Sequence, residues 1–371
     1  VTATHPTADE IELKRTPLDA EHRRLGAKMV PYAGWLMPLQ YTGIVDEHNA
    51  VRHDAGLFDV SHMGRLLLQG PDAPALLRRA LTYNVYRLKE WQAHYAVICA
   101  EDGGIIDDVF LYRFDRGRYL LVGNAVNADI DREHVASLVE PGMDVTIDDI
   151  QSSTAMIAIQ GPESTPILAE TVTAALVEGM PYHGCTEFEL MGSNAVAAAS
   201  GYTGEEGFEI ILDATKAHAL WRGLLSARTK PCGLGGRDTL RLEASLLLYG
   251  NDIDRTTNPF EAGLGWVVDL DDEPFVGREA LRAIKEAGVK RRLVCLEATE
   301  KGVMRSHCDV LHEGKAVGKV TSGGFSPSLG ISIGMAYVPV DLVEPGTSLA
   351  VDVRGRPLRV IVVKRPFYER P

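Results

Sequence analysis

Two adjacent carboxylates stand out first. The string GGIIDD places Asp107 and Asp108 after a glycine turn and before an apolar run. Neighbouring residues of a strand point to opposite faces, so only one of the two Asp side chains faces a given cavity. A single carboxylate with a site role is therefore expected, rather than an acid–base pair; a solvated turn is the alternative. In GYTGEEGFE, Glu209 falls inside a strand predicted over residues 208–212. A strand carboxylate between apolar neighbours needs a partner or a ligand. In PCGLGGRDTLRLE, Arg237 sits where a glycine-rich segment begins a helix. Backbone N–H groups and a guanidinium both attract anions or polar heterocycles there, and a structural Arg–carboxylate pair is the alternative.

Two more segments are dense in polar and small residues. Residues 37–64 carry His48, His53 and His62, but no pair has the helix-face spacing of a metal site. They read as a polar pocket wall, with Met63 as a soft contact for a flat ring. TSGGFSPSLG (321–330) reads only as a turn-rich loop. There is no GxSxG, no Cys-centred nucleophile motif and no phosphate loop. What remains is a polar pocket built from one Asp, one Glu and one Arg. Such a pocket suits a folate head group, whose amide and amino groups a carboxylate holds bidentately.

The chain that must position these residues has 371 residues, 45% hydrophobic and 24% charged, which is ordinary for a globular protein of two or three domains. With 38 basic and 51 acidic residues the net charge is 38 − 51 = −13. That excludes bulk nucleic-acid binding, which needs a basic footprint. The cysteines Cys99, Cys185, Cys232, Cys295 and Cys308 form no CxxC pair, so idle thiols in a reducing compartment are expected, and no metal. No apolar run approaches the roughly 20 residues of a membrane span. Residues 1–14 are polar, with Asp9, Glu10 and Glu12, and read as a loose tail without a secretory or transit signal. A cytoplasmic location is expected.

Patterning predicts mixed α and β. Strands are expected at 65–69, 96–99, 109–113 and 119–122, the last two joined as a hairpin through residues 115–117. Helices are expected at 72–81 and at 128–138, the latter capped by Asn127. Further strands are predicted at 156–159, 195–199 and 208–212, with helices at 215–225, 238–249 and 277–286. From residue 292 onward short β runs punctuated by Gly and Pro predict a separate β-rich C-terminal unit.

FDVSHMG, GGIIDD, GYTGEEGFE, PCGLGGRDTLRLEA with LYGNDID, and TSGGFSPSLG, in this order, resemble the glycine cleavage T-protein family over nearly the whole chain, from residue 16 to residue 367. The resemblance implies an α+β, three-domain, cloverleaf-like fold with a β-barrel C-terminal domain. Its expected units are residues 16–57 with 150–275, residues 58–149, and residues 285–371. It implies an aminomethyltransferase that passes the one-carbon unit of an aminomethyl group, carried on lipoylated H-protein, to tetrahydrofolate in glycine catabolism. The P- and L-proteins would be its pathway companions, with no nucleic acid, membrane or metal involved. It implies Asp108 as the essential carboxylate. Met63, Tyr95, Val122, Asn124, Glu209, Arg237 and Trp266 stand at its folate contacts. Arg370, with Tyr368 as the alternative, stands at a C-terminal contact. Lys290-Arg291-Arg292 is a candidate basic rim for H-protein, with a solvated surface run as the alternative. Two rivals share the fold: a folate-dependent demethylase of a small methylated donor, and a non-enzymatic folate-binding protein. The second is disfavoured because this chain has GYTGEEGFE where those relatives carry a cysteine-containing string.

Overall fold

A computed structural model describes residues 13–115, 117–177 and 179–370. Most of the expected N-terminal tail, and Arg116 of the expected hairpin turn, lie outside those residues. Three β assemblies carry the fold. A five-stranded sheet runs in the order Gln92–Cys99, Ile105–Arg113, Arg118–Gly123, Gly64–Gln69, Thr146–Asp149. A six-stranded sheet takes the order Cys185–Leu190, Ser193–Ala198, Gly207–Asp213, Thr154–Gln160, Gly56–Asp59, Lys230–Pro231. The third assembly is a closed barrel of six strands that begins at Arg291–Ala298 and ends at Arg356–Val363. The fold is thus α+β with a C-terminal barrel, as expected. A small three-stranded sheet of Lys14–Arg15, Lys28–Tyr32 and Trp35–Gln40 covers the start of the chain.

Each sheet buries one apolar face against helices, which is what alternating strands and amphipathic helices dictate. Helix Ala217–Ser226 packs Leu220, Trp221 and Leu224 on Ile157, Ile159 and Ile210. Helix Ala73–Ala80 packs Leu76 and Leu77 on Leu66, Leu68, Ile98 and Leu111. Between the two large sheets lies a second layer that includes Phe58, Tyr112, Leu120, Val122 and Met156. Closing the barrel removes its edge strands.

One helix differs from expectation. The leucines of 238–249 predict a single helix, but the helix is Leu234–Glu243 and ends at Ala244. Ser245 then takes a left-handed φ of 55°. Leucines 246–248 leave the helix to line a cavity, while Arg241 and the backbone N–H of Leu248 both bind Asp252 and fix the turn. Apolar residues at helical spacing here serve two surfaces, a core and a cavity wall.

Candidate active site

Strand Ile105–Arg113 carries the first group. Its alternation sets Asp108, Phe110 and Tyr112 on the face that lines a cavity of about 820 Å³. Asp107 is fully buried on the other face, toward helix Ala128–Ser137. The two carboxylates are nevertheless not independent. The Asn124 side-chain amide donates to Asp107 Oδ1 and to Asp108 Oδ1, 2.8 Å in each case. Asp108 Oδ2 accepts from the Tyr95 hydroxyl at 2.9 Å. Asn127 stands at the N-cap position of its helix but makes no side-chain cap; its amide donates to Asp107 Oδ1 at 2.6 Å instead. The expected capping role of Asn127 is therefore corrected: a cap accepts from a helix N–H through its side-chain oxygen, whereas here the side chain is turned to donate its amide to a buried carboxylate. Burial, and then the charge of Asp107, push the Asp108 carboxyl up to about 7.

Across the cavity, strand Gly207–Asp213 presents Glu209. Glu209 Oε2 accepts from Ser200 Oγ at 2.5 Å and from the Tyr112 hydroxyl at 3.4 Å, so this strand carboxylate has the partners that its position demands. Oε1 makes no protein hydrogen bond among the described residues, which leaves acceptor capacity toward the cavity. Arg237, in the first turns of its helix, lies 4.7 Å from the Tyr202 ring centroid. Its Nη1 is buried with no hydrogen-bond partner. A buried guanidinium nitrogen without a partner is costly, and an acceptor on a bound molecule would relieve it. His62 faces the same space with its Nδ1 also unpartnered, and burial, helped by the Arg237 charge, lowers its pKa to about 4. The ring is therefore neutral near pH 7.

Apolar walls complete the pocket. Met63 and Val122 line it together and belong to one apolar cluster. Trp266 lies nearly parallel to Tyr95, with ring centroids 5.9 Å apart. Eight of the nine residues expected at the site thus border one cavity. Arg370 does not: it reaches Glu206 at 3.0 Å, half exposed on the surface. Tyr368, the alternative, lies on the Arg52 guanidinium, 4.0 Å from ring centroid to Cζ. The arginines that do line the cavity on the barrel side are Arg305 and Arg365. Arg291 of the candidate basic rim is engaged by Glu261 at 2.9 Å, while Lys290 and Arg292 are exposed.

The other motifs support this wall from behind. His48 binds Thr239, Ser328 and Glu243, and His53 is exposed, so the three histidines do not converge. TSGGFSPSLG is more than a turn: Ser326 Oγ donates to Glu243 Oε1 at 2.5 Å and Ser328 Oγ to Oε2 at 2.7 Å, which ties the barrel to helix Leu234–Glu243. Tyr112, Ser200 and Tyr202 were not expected at the site. Tyr112 had a legible signal, because it lies four residues beyond Asp108 on one strand and so shares its face. Tyr202 had none beyond its motif and Ser200, just before that motif, had none at all, since a loop's course is set by tertiary contacts.

The cavity is within the range of small-molecule sites, roughly 300–1,000 Å³, with apolar walls and a few convergent polar groups. Comparison with known proteins gives the family of the chain. Residues 18–272 match a family model described as the GCVT N-terminal domain, and residues 291–369 match the glycine cleavage T-protein C-terminal barrel domain. The chain is 47% identical over 363 residues to an aminomethyltransferase of Rubrobacter xylanophilus, spanning 96% of this chain and 95% of that one. It is 44% identical over 364 residues to an aminomethyltransferase of Moorella thermoacetica, spanning 97% and 99%. The crystal structure of glycine cleavage system aminomethyltransferase T from Bartonella henselae superposes with a TM-score of 0.92 at 35% identity, covering 97% of this chain and 99% of that one.

Proposed function

The chain belongs to the glycine cleavage T-protein family and is an aminomethyltransferase, and on that footing we propose the donor, the acceptor and the residues that serve them. The donor is the aminomethyl group on the lipoyl arm of H-protein, S–CH2–NH3+. The acceptor is tetrahydrofolate, which supplies two nucleophilic nitrogens, N5 and N10. The carbon exchanges its bonds to sulfur and nitrogen for bonds to those two nitrogens. The two N–H protons of the acceptor are matched by the protons gained by the thiolate and by ammonia, which leaves as ammonium. The carbon stays at the formaldehyde oxidation level, so the balance requires no oxidant.

The observation that carries this reading is the unpartnered Arg237 Nη1 on the same cavity as Glu209 and Asp108. Glu209 accepts from the amino and amide N–H groups of a pterin, and Arg237 donates to its ring acceptors. Met63 and Val122 supply flat apolar contact, while Tyr95 and Trp266 form the aromatic wall. Asp108, oriented by Tyr95 and Asn124, offsets positive charge that develops at the transferred carbon and takes up or returns a proton at its carboxyl. Holding the ring in register against the carbon is a proximity effect. Arg370, half exposed and paired with Glu206, is given no folate contact in the proposal.

The test pairs two donors. Aminomethylated H-protein and a panel of N-methylated amines are offered in turn, with and without tetrahydrofolate, and both methylenetetrahydrofolate and 5-methyltetrahydrofolate, the product that methyl transfer gives without an oxidant, are measured. The proposal expects product from the first donor alone. Product from a methylated amine and none from H-protein would replace it with the demethylase reading.

A further inference from the structure

A third carboxylate stands behind Asp108. Asp131, on helix Ala128–Ser137, is 3% exposed, and neither of its carboxyl oxygens accepts a hydrogen bond from an N–H or hydroxyl among the described residues. It faces Asp107 across Gly123: a Cβ at that glycine would lie 2.5 Å from Asp131 Oδ2 and 2.9 Å from Asp107 Oδ2. Among the described residues none of Asp107, Asp108 and Asp131 forms an ion pair with a cation.

Two buried carboxylates in contact, with no cation, cannot both ionise. One proton must sit between them. The donors decide on which side. Asp107 accepts from the Asn124 backbone N–H, the Asn124 amide and the Asn127 amide, all of which favour its charged form. Asp131 accepts from none, so the proton resides there. The start of its helix favours an anion, but that effect is small beside an adjacent carboxylate. A void of about 10 Å³ touches Asp131. Its other lining residues are Gly64, Leu66, Leu121, Gly123 and Ala128, so a water there would lack the two to four polar partners that it needs.

We propose that Asp131 is a positioning residue for Asp108: as the neutral acid it donates a hydrogen bond to Asp107, and Asp107 in turn holds Asn124 and, through it, the carboxylate that faces the cavity. The shared proton also sets how much negative charge Asp108 feels. Burial and the Asp107 charge hold the Asp131 carboxyl well above the usual carboxylate range, in accord with a neutral acid. The groups facing this cluster are Tyr95 from the neighbouring strand, Tyr202 and Tyr249 from loops, and Asn124 and Asn127, with Arg255 beyond Tyr249 and Arg237 beyond Tyr202.

The proposal rests on the role assigned to Asp108, and its test separates the two. Asp131→Asn keeps a neutral donor; Asp131→Ala removes it. Without that donor Asp107 protonates more readily and presents less charge to Asp108. In Asp131→Ala the acid limb of the kcat–pH profile should move to lower pH by about one unit, with kcat down about tenfold and KM for tetrahydrofolate unchanged. Asp131→Asn should keep the wild-type limb. Infrared difference spectra at pH 8, wild type against Asp131→Asn, should show a neutral carboxylic acid C=O band lost in the variant. That comparison decides the matter even where Asp131→Ala does not fold. Absence of the band, or equal pH profiles in the two variants, would overturn the proposal. Full turnover in Asp108→Asn would instead remove the role of Asp108, while the infrared band would still report the pair.

Discussion

Asp108 works at a cost to the fold. Its carboxyl is ionisable in the unfolded chain near pH 4, whereas burial and Asp107 raise it to about 7 in the folded protein. The folded state therefore binds more protons between these values, and stability from this group is lost as pH rises from about 4 through about 7. A shift of about three units corresponds to at most about 4 kcal/mol. Asp108→Asn should accordingly raise the thermal midpoint at pH 8 relative to wild type, with little difference at pH 4; a midpoint lowered equally at both pH values would speak against the buried charge. In the wild type the rate should fall below an acid limb near pH 7, since the ionised form acts. Glu209 makes a different contribution. Its carboxylate is held by Ser200 and Tyr112 with capacity to spare, so Glu209→Ala should weaken tetrahydrofolate binding about tenfold to a hundredfold, read by calorimetry, and lower kcat less.

At the scale of elements, positions are set by close backbone contacts as much as by patterning. Helix Leu234–Glu243 begins at Gly233, where a Cβ would collide with the Leu39 carbonyl. The Gly233 N–H meanwhile donates to the buried Glu47 carboxylate at 2.8 Å. Gly233→Ala should cost about 1–3 kcal/mol in urea unfolding and should weaken folate binding by displacing Arg237. These contacts also explain what the sequence shows and what it hides. The alternation of strand Ile105–Arg113 is local, so two-residue periodicity shows that only one of Asp107 and Asp108 faces the cavity, while the choice of Asp108 comes from the family resemblance and not from the period. The end of the helix at Ala244 is not, because it depends on Arg241 meeting Asp252, eleven residues on. Nor is the contact between Asp107 and Asp131, which lie on different elements and meet only through the tight approach over Gly123. The barrel is legible from its punctuated β runs, while the docking of TSGGFSPSLG onto Glu243 spans about eighty residues of sequence and leaves no local trace.

At the scale of the whole molecule, a wall of the cavity is held by buried polar networks between the barrel and the rest. Arg241 joins Asp252 at 2.8 Å and Ser322 of the barrel at 2.9 Å. Removing one partner of a buried pair strands the other, so Arg241→Met should cost about 3–5 kcal/mol, measured by chemical unfolding. Glu243 works likewise: burial opposes its charge, yet hydrogen bonds from His48, Ser326 and Ser328 hold its carboxyl at about 2. Its stabilisation is present above the unfolded carboxylate range and is lost as pH falls from about 4.5 toward 2. Barrel docking and cavity shape are therefore linked through one helix, which also carries Arg237. The central claim is that this cavity brings a folate acceptor to an aminomethyl donor under the influence of Asp108. Its most direct test is ammonia release from aminomethylated H-protein, with and without tetrahydrofolate, in the wild type and in Asp108→Asn. Strong acceleration by tetrahydrofolate in the wild type, reduced at least about a hundredfold in the variant while folate still binds, is the expected result. Equal acceleration in both proteins, or none in the wild type despite folate binding, would contradict the account.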